Sequence, residues 1–182
     1  MRYIVFDLEA TCWPQHDRSD NETIEIGAVR CDAAGAVVDE FCQFVRPLRH
    51  PRLSDFCRQL TSIRQADVDA APLFHEAIER FKAWIGVGAH PYLLCSWGYY
   101  DRRQLEADCA LHHLDSAWVA RHISLKHQHA ELAGLRRALG MARALEHEGL
   151  PLEGTHHRGI DDARNIAKVF GRYLGRWRSP TQ

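Results

Sequence analysis

Residues 2–10 read RYIVFDLEA and combine the pattern of a buried strand with two acidic side chains. The apolar run at 3–6 is typical of a strand, and Asp7 and Glu9 interrupt its continuation. Strand side chains alternate between two faces, so both carboxylates project from the same face. Neighbouring carboxylates repel each other, and oxygen ligands are those that Mg²⁺ or Mn²⁺ prefers. The stretch therefore predicts a divalent-cation site, unless the strand ends at Phe6 and the acids lie in water.

The segments after this strand predict an antiparallel meander followed by helices. Residues 23–31 alternate apolar and polar side chains, as a half-buried strand does, and a turn at 32–35 leads into a strand at 37–45. Farther along, helical patterns alternate with single strands, which predicts an α/β fold in which helices flank a mixed sheet. The predicted helices lie at 54–60, 63–70, 73–85, 124–139 and 159–177, with one more opening at Asp101, and short strands are predicted at 92–96 and 119–123.

The composition is that of a folded protein of average charge. The chain has 182 residues, 46% of them hydrophobic, and its 23 basic and 24 acidic residues leave a formal net charge of −1. These values exclude intrinsic disorder and a polycationic nucleic-acid-coating protein. We expect a single domain over residues 1–178 and a frayed end at 179–182. No apolar run is long enough for a membrane span or a secretory signal, and six cysteines without a CxxC pair predict a reduced, cytoplasmic protein.

Two adjacent acids at the start of the last predicted helix differ in their surroundings. On a helical wheel, Asp161 falls in the middle of the polar side, where a solvated acid in the first turn interacts favourably with the helix dipole. Asp162 falls inside the apolar sector, between Val169 and Tyr173. An inward-pointing acid needs a cation or a strong hydrogen-bond donor, so Asp162 is a candidate metal ligand.

Asp101 and His157 are further candidates for the same site. Asp101 follows a short apolar strand and shares its helical stripe with Leu105 and Cys109, although an ordinary N-cap would also place an aspartate there. His157 lies in a glycine-rich loop five residues before Asp162, and an imidazole can act as a general base near neutral pH. Against this, most histidines in a chain with twelve have no such role.

These five residues together suit the hydrolysis of a phosphodiester by two metal ions. Asp7, Glu9, Asp101 and Asp162 supply four carboxylates that could converge, and His157 supplies a base. Two bound ions would activate a water molecule and stabilise the leaving oxygen. The same oxygen-rich set argues against the alternative of a zinc hydrolase.

The order of these motifs resembles the DEDDh (DnaQ-like) family of 3′–5′ exonucleases. The stretches FDLEATC at 6–12 and GTHHRGIDDARNIA at 154–167 are most similar to the branch that contains histone-mRNA and small-RNA 3′ exonucleases and bacterial KapD-type relatives. The segments LTSI at 60–63 and APLF at 71–74 also match the family between its first and middle motifs. The resemblance extends over about residues 3–175.

The resemblance implies a ribonuclease H-like fold with a five-stranded mixed sheet. It implies a 3′–5′ exonuclease that releases nucleoside 5′-monophosphates from single-stranded nucleic acid, with RNA favoured over DNA. Asp7, Glu9, Asp101 and Asp162 would bind two Mg²⁺ or Mn²⁺ ions, and His157 would deprotonate the attacking water. The alternatives are a DNA-directed exonuclease and a catalytically silent nucleic-acid-binding subunit. We expect no membrane partner, whereas protein partners and oligomeric state stay open.

Contacts to the nucleic acid are expected from aromatic and basic side chains near the motif acids. Aromatic rings stack on bases, and arginines pair with phosphates. The alternatives are core packing for the rings and a solvated face for the charges. The candidates are Thr11, Trp13, Trp97, Tyr99, Tyr100 and Arg158 at the site, and a basic stretch formed by Arg46, Arg49, His50, Arg52 and Arg58.

Overall fold

The computed structural model describes residues 1–14 and 20–179 and contains the predicted mixed sheet of five strands. The predicted frayed end therefore lies mostly outside the described residues. Across the described part of the chain, no helix is both long and apolar enough to cross a bilayer. The strands are β1 (Arg2–Ala10), β2 (Thr23–Cys31), β3 (Val37–Phe44), β4 (Tyr92–Ser96) and β5 (His122–Ser124).

In the part of the chain that the structure describes, seven α-helices pack around the sheet, and most begin within two residues of their predicted starts. A short 3₁₀ turn at Ala117–Ala120 occupies part of the strand predicted at 119–123, which begins only at His122. The helices are α1 (Asp55–Thr61), α2 (Gln65–Asp69), α3 (Phe74–Ile85), α4 (Tyr100–Leu111), α5 (Leu125–Leu132), α6 (Met141–His147) and α7 (Gly159–Arg172).

The sheet has the order β3-β2-β1-β4-β5. The first three strands form the predicted antiparallel meander, and β1, β4 and β5 run parallel. β1 is therefore the central strand, with neighbours on both sides. The carboxyl ends of β1 and β4 meet at one edge of the sheet, which is where Glu9 and the segment leading to α4 lie.

The two faces of β1 belong to two different cores. Ile4, Phe6 and Leu8 pack with the apolar stripes of α3 and α4. Val5 packs on the opposite face with α7 and with residues of α5 and α6. Because side chains alternate, Asp7 and Glu9 continue the α7 face of the strand.

The prediction that β2 is only half buried is wrong. Its residues at 23–29 are all buried, and Glu25 is fully excluded from solvent. The reason is that α7 lies across the face of β2 that alternation assigns to the polar residues. The pattern of a strand shows which of its residues are polar, but it does not show whether a helix from another part of the chain covers them.

The single helix predicted at 124–139 is also wrong, because the chain forms two helices there. α5 ends at Leu132, where Gly134 adopts a left-handed φ of 66° and the Leu135 amide donates to the carbonyl of Ala130. Gly140, predicted as a helix end, instead precedes α6 as its N-cap. The last helix is shorter than predicted and ends at Arg172, after which the chain turns.

The first turn of α7 and β2 approach each other closely through backbone atoms at Gly27 and Gly159. A Cβ atom built on Gly27 would lie 2.0 Å from both the carbonyl carbon of Gly159 and the amide nitrogen of Ile160. A Cβ on Gly159 would lie 3.1 Å from the carbonyl oxygen of Asp7, which pairs with Gly27 in the β1–β2 ladder. Glycine at both positions thus lets the helix begin directly above the acidic part of β1.

We expect Gly27→Ala to lower the free energy of unfolding by about 3 kcal/mol, because the added methyl would meet backbone atoms that cannot rotate away. Urea denaturation measures this loss. Gly171→Ala is the matched control in α7, since its Cβ would be 3.6 Å from the carbonyl oxygen of Gly35, an ordinary contact. The control should leave stability unchanged or raise it by up to ~1 kcal/mol. Equal stability of the two variants would contradict the backbone contact.

Candidate active site

Four acidic side chains from three elements line one cavity at the carboxyl end of β1. The cavity has a volume of about 540 Å³. Asp7 and Glu9 come from β1, Asp101 comes from the first turn of α4, and Asp162 comes from the first turn of α7. The loop before α7 adds His157 to the same wall. The structure therefore brings all five sequence-predicted residues together.

The carboxylates are close enough to share ligands. One carboxylate oxygen from each of Asp7, Glu9 and Asp162 lies within 4.8 Å of the other two. Asp101 is fixed beside them, because its Oδ1 accepts a hydrogen bond of 3.2 Å from the backbone amide of Leu8. That amide lies between the two acids of β1, so four carboxylates from distant parts of the chain meet at one point.

Burial raises the pKa of each of these carboxyls, and repulsion between carboxylates adds to the shift at Asp7, Glu9 and Asp101. Burial, together with the negative charges of Asp162 and Glu25, raises the pKa of Glu9 to about 9. Burial, followed by repulsion from Asp101 and Glu9, raises the pKa of Asp7 well above its usual range. Burial also raises the pKa of Asp101 to about 6, although hydrogen bonds from the Leu8 amide and the Ser96 hydroxyl oppose the shift.

A divalent cation fits this donor set. The four carboxylates are hard oxygen donors, three of them are buried, and protons or metal ions must compensate their charge. Asp162 is bonded by the His156 ring and by the backbone amide of His157, and these contacts offset part of its negative charge. Burial nevertheless raises the pKa of Asp162. The residues that would hold a metal are thus Asp7, Glu9, Asp101 and Asp162, as the sequence predicted.

The loop before α7 presents two stacked imidazoles to the cavity. The rings of His156 and His157 are 3.9 Å apart and inclined by 20°. His156 Nδ1 lies 3.0 Å from both oxygens of Asp162, whereas His157 adopts a left-handed φ of 66° and donates its backbone amide to Asp162. Burial and the neighbouring His156 lower the pKa of His157. The His157 ring is therefore neutral at neutral pH and able to accept a proton.

Asp161 and Asp162 have the different environments that the helical wheel predicts. Asp162 is buried, with 4% of its surface exposed, and faces the cavity. Asp161 is half-buried outside the cavity lining, where it accepts hydrogen bonds from the Thr155 amide and the Arg164 guanidinium, both 2.9 Å long. Asp161 thus holds the loop to the helix and contributes nothing to the cavity wall.

Buried Glu25 and half-buried Arg158 form a clasp that sequence reasoning missed. Glu25 accepts hydrogen bonds from Arg158 Nε at 3.0 Å, from Arg158 Nη2 at 3.2 Å and from the Gly159 amide at 3.1 Å. The clasp ties the first turn of α7 to β2 and fixes where Asp162 projects. Arg158, predicted to contact substrate, is instead engaged in this ion pair and lies outside the cavity lining. The only sequence signal was an acid in an otherwise apolar strand.

Three of the predicted aromatic contacts line the cavity. Trp13, Trp97 and Tyr100 do so, whereas Thr11 is buried and accepts a hydrogen bond from the Glu22 amide instead. Thr11 directly follows β1 and pairs with Glu22, just before β2, so its hydroxyl bonds within the fold and is not presented to the cavity. Two apolar side chains of α1, Phe56 and Leu60, also line the cavity although each is more than a third exposed, and sequence reasoning missed them.

The predicted basic stretch lies mostly on the surface. Arg46, Arg49, Arg52 and Arg58 are exposed, and His50 is half-buried against the Trp13 ring. Arg58 forms an ion pair with Asp55 one turn earlier in α1. None of the five appears among the described residues that line the cavity. Their role in holding nucleic acid stays a prediction.

Comparison with known families identifies the chain. The family model described as Exonuclease, RNase_T, matches residues 4–170. The chain therefore belongs to this exonuclease family, and the predicted relationship to DEDDh 3′–5′ exonucleases is confirmed. Membership implies dependence on a divalent metal, in agreement with the donor set.

Relatives from animals and bacteria share the sequence over most of its length. ERI1 exoribonuclease 2 of Danio rerio is 34% identical over 200 residues, which cover 94% of this chain and 34% of the relative. The probable 3′-5′ exonuclease KapD of Bacillus subtilis is 28% identical over 149 residues, which cover 82% of this chain and 71% of that protein. The chain spans between 27% and 34% of the length of the Danio rerio, Xenopus laevis and Homo sapiens relatives.

Solved structures share the fold. The nuclease domain of 3′hExo, described as a DEDDh family member bound to rAMP, aligns with a TM-score of 0.92 at 28% identity and covers 100% of this chain and 96% of that chain. Exonuclease I aligns with a TM-score of 0.79 at 10% identity, which shows a common fold alone. The predicted ribonuclease H-like fold is therefore confirmed.

The raised pKa values predict how the metal-free protein responds to pH. Folded Glu9 holds a proton up to about pH 9, whereas the unfolded chain releases it near 4.5, so the free energy of unfolding should fall as the pH rises between these values. Glu9→Gln cannot titrate and should flatten this dependence by up to about 1.4 kcal/mol per pH unit, the value for one proton.

Urea denaturation in EDTA at pH 5, 7 and 9 measures this dependence. Glu146→Gln is the matched control, because Glu146 is exposed on α6 and lies outside the cavity lining. The control should keep the slope of the unmodified protein. An equal slope for Glu9→Gln and the unmodified protein would contradict the burial of a protonated Glu9.

Proposed function

We propose that the protein is a 3′–5′ exonuclease that removes nucleotides from the 3′ end of single-stranded nucleic acid, with RNA preferred over DNA. The observation that carries this proposal is the meeting of four carboxylates and His157 in one cavity. The relatives named exoribonucleases support RNA as the substrate. The rAMP bound to the nuclease domain of 3′hExo points to the same class of ligand.

Asp7, Glu9, Asp101 and Asp162 would hold two Mg²⁺ or Mn²⁺ ions in this cavity. Bound ions of this kind activate water, stabilise negative charge on the phosphate and leaving oxygen, and remove the repulsion among the carboxylates. The carboxylates come from a central strand and two helix starts, which makes them a rigid frame. The Glu25–Arg158 clasp keeps Asp162 within reach of Asp7 and Glu9.

His157 would take the proton of the attacking water. The water oxygen forms a bond to the phosphorus of the terminal phosphodiester, and the bond from phosphorus to the 3′ oxygen of the preceding nucleotide breaks. The products are a nucleoside 5′-monophosphate and a chain with a new 3′ hydroxyl. The lowered pKa of His157 supports this role, since a neutral imidazole is ready to accept the proton.

The walls of the cavity fit a nucleotide with one apolar face. Trp13, Phe56 and Leu60 offer rings and an aliphatic side chain against which a base can lie. The acids line the same cavity, where the phosphate would be. We therefore expect the sugar and phosphate near the metal ligands and the base against the apolar side chains.

A cytoplasmic location belongs to the same proposal. Six cysteines without a CxxC pair support a reducing compartment. Cell fractionation with an antibody to the protein tests it, and recovery from an oxidising compartment would overturn it.

The function is tested with RNA and DNA 12-mers of one sequence, each labelled at the 5′ end. With Mn²⁺ or Mg²⁺ we expect a ladder that shortens from the 3′ end, faster for RNA, and release of 5′-monophosphates. Excess EDTA should stop the reaction. Full turnover in EDTA would overturn the metal mechanism. Faster degradation of DNA than of RNA would show a DNA-directed exonuclease. A protein that degrades neither polymer would support a catalytically silent binding subunit.

Adjacent aspartates provide a matched pair of variants for the metal ligands. Asp162→Asn should abolish exonuclease activity, because a neutral amide cannot replace a buried carboxylate that holds a cation. Asp161→Asn should keep most of the activity, since Asp161 only bonds the loop and Arg164. Rates on the labelled RNA 12-mer measure both. Comparable losses in the two variants would show that the assignment of the ligand is wrong.

His157→Ala should lower kcat by ~10²–10⁴-fold with little change in KM, the loss expected when a general base is removed. His75→Ala is the control, because His75 is exposed on α3, outside the cavity lining. Steady-state kinetics on the RNA 12-mer separate kcat from KM. A large rise in KM with unchanged kcat would identify His157 as a binding residue.

A further inference from the structure

A second groove lies directly beside the catalytic cavity. It has a volume of about 650 Å³ and shares two wall residues, Trp97 and Tyr100, with that cavity. The two depressions therefore adjoin each other at these residues. The other described residues that line the second groove are Gly98, Tyr99, Arg103, Gln104, Ala107, Lys126 and His127.

The charges of the two depressions are opposite. The catalytic cavity is lined by four carboxylates, whereas the described lining of the second groove contains Arg103 and Lys126 and no acid. Within residues 1–14 and 20–179, neither of these cations forms an ion pair, and the neighbouring Arg102 is the one that binds Glu106. Two unpaired cations along one groove fit a chain of phosphates.

Aromatic rings lie along the same groove. Tyr99 is 43% exposed, and its ring stacks on His127 with centroids 5.0 Å apart and an angle of 25°. His127 is in turn fixed by a contact of 2.6 Å between its Nδ1 and the hydroxyl of Ser124. Tyr100 donates its hydroxyl to Gln104 at 3.2 Å. The rings are therefore held in place before any ligand binds, as suits a platform for stacked bases.

We propose that the second groove binds the nucleotides that precede the one being removed. Arg103 and Lys126 contact their phosphates, and Tyr99 stacks on one of their bases. This inference rests on the proposed exonuclease function, because it takes the 3′ nucleotide to lie in the catalytic cavity. The strand then passes over the shared wall of Trp97 and Tyr100 into the groove.

The charges around the catalytic cavity favour this path for the strand. Phe56 and Leu60 of α1 add apolar surface to the cavity lining, and the nearby Arg58 is paired with Asp55. At the groove, both cations are available, and the groove shares Trp97 and Tyr100 with the cavity. The groove thus gives longer substrates an advantage over a single nucleotide, independent of the chemical step.

The first test compares a long and a minimal substrate. The RNA 12-mer reaches the groove, whereas the nitrophenyl ester of uridine 5′-monophosphate carries a single nucleotide and fills only the cavity. The variant R103A/K126A should lower kcat/KM on the 12-mer about tenfold or more and leave hydrolysis of the ester unchanged. The dependence of log kcat/KM on log salt should lose a slope of about 1.4, at ~0.7 for each phosphate contact.

The control K82A/R121A removes the same kinds of charge elsewhere. Lys82 lies on α3, and Arg121 precedes β5 at the end of that strand opposite to Lys126. The control should behave like the unmodified protein on both substrates. Thermal unfolding of both double variants checks that each is folded.

The second test concerns the Tyr99 ring. Tyr99→Ala should lower kcat/KM on the 12-mer by ~5–150-fold, the range for loss of one stacked base, and leave hydrolysis of the ester unchanged. Tyr99→Phe keeps the ring and should retain the activity on the 12-mer. Loss in both variants would point to the hydroxyl and overturn the stacking contact.

The outcomes separate this inference from the proposed function. If the unmodified protein degrades the 12-mer and R103A/K126A matches the control, the groove inference fails while the exonuclease stands. If R103A/K126A loses the ester and the 12-mer equally, the cations act on the catalytic cavity and the inference also fails. If the unmodified protein acts on neither substrate, the proposed function itself fails.

Discussion

The backbone contact between Gly27 of β2 and Gly159 of α7 is the constraint on which the site depends. It lets the helix begin one layer above the β1–β2 ladder with no side chain between them. Because Asp7 pairs with Gly27, the same contact sets the height of Asp162 above the acids of β1. The Glu25–Arg158 clasp then fixes the direction in which the first turn of α7 points. Two small residues and one ion pair thus determine the geometry of a four-carboxylate cavity.

The acidic and the basic side chains lie in two adjoining regions, the catalytic cavity and the second groove. Carboxylates gather at the edge of the sheet where β1 and β4 end, and the described cations of the neighbouring groove lie on α4 and at the start of α5. Both regions meet where β4 leads into α4, at Trp97 and at Tyr100, the first residue of α4. This junction links the element that supplies Asp101 to the surface that faces the groove.

Local patterns in the sequence predicted much of this structure. The features that they missed are polar residues buried by segments that are distant in the sequence. Alternation located β1 and β2 to the residue, and helical spacing identified the inward position of Asp162. On the same helical wheel Asn165 falls on the polar side, yet its side chain is fully buried and bonds the backbone of Glu153 in the loop before α7. Likewise, the burial of Glu25 depends on α7, more than a hundred residues away. Periodicity cannot report which distant segment covers a polar residue.

The convergence of carboxylates from β1, α4 and α7 has a thermodynamic consequence. A cation bound there would act as a cross-link between segments that are distant in the sequence, and only the folded chain can assemble its ligands. Binding of the cation to the folded chain would raise the free energy of unfolding by RT ln(1 + [L]/Kd), so the melting temperature would increase with cation concentration. A thermal-shift titration could therefore rank Mg²⁺ against Mn²⁺ without any nucleic acid present.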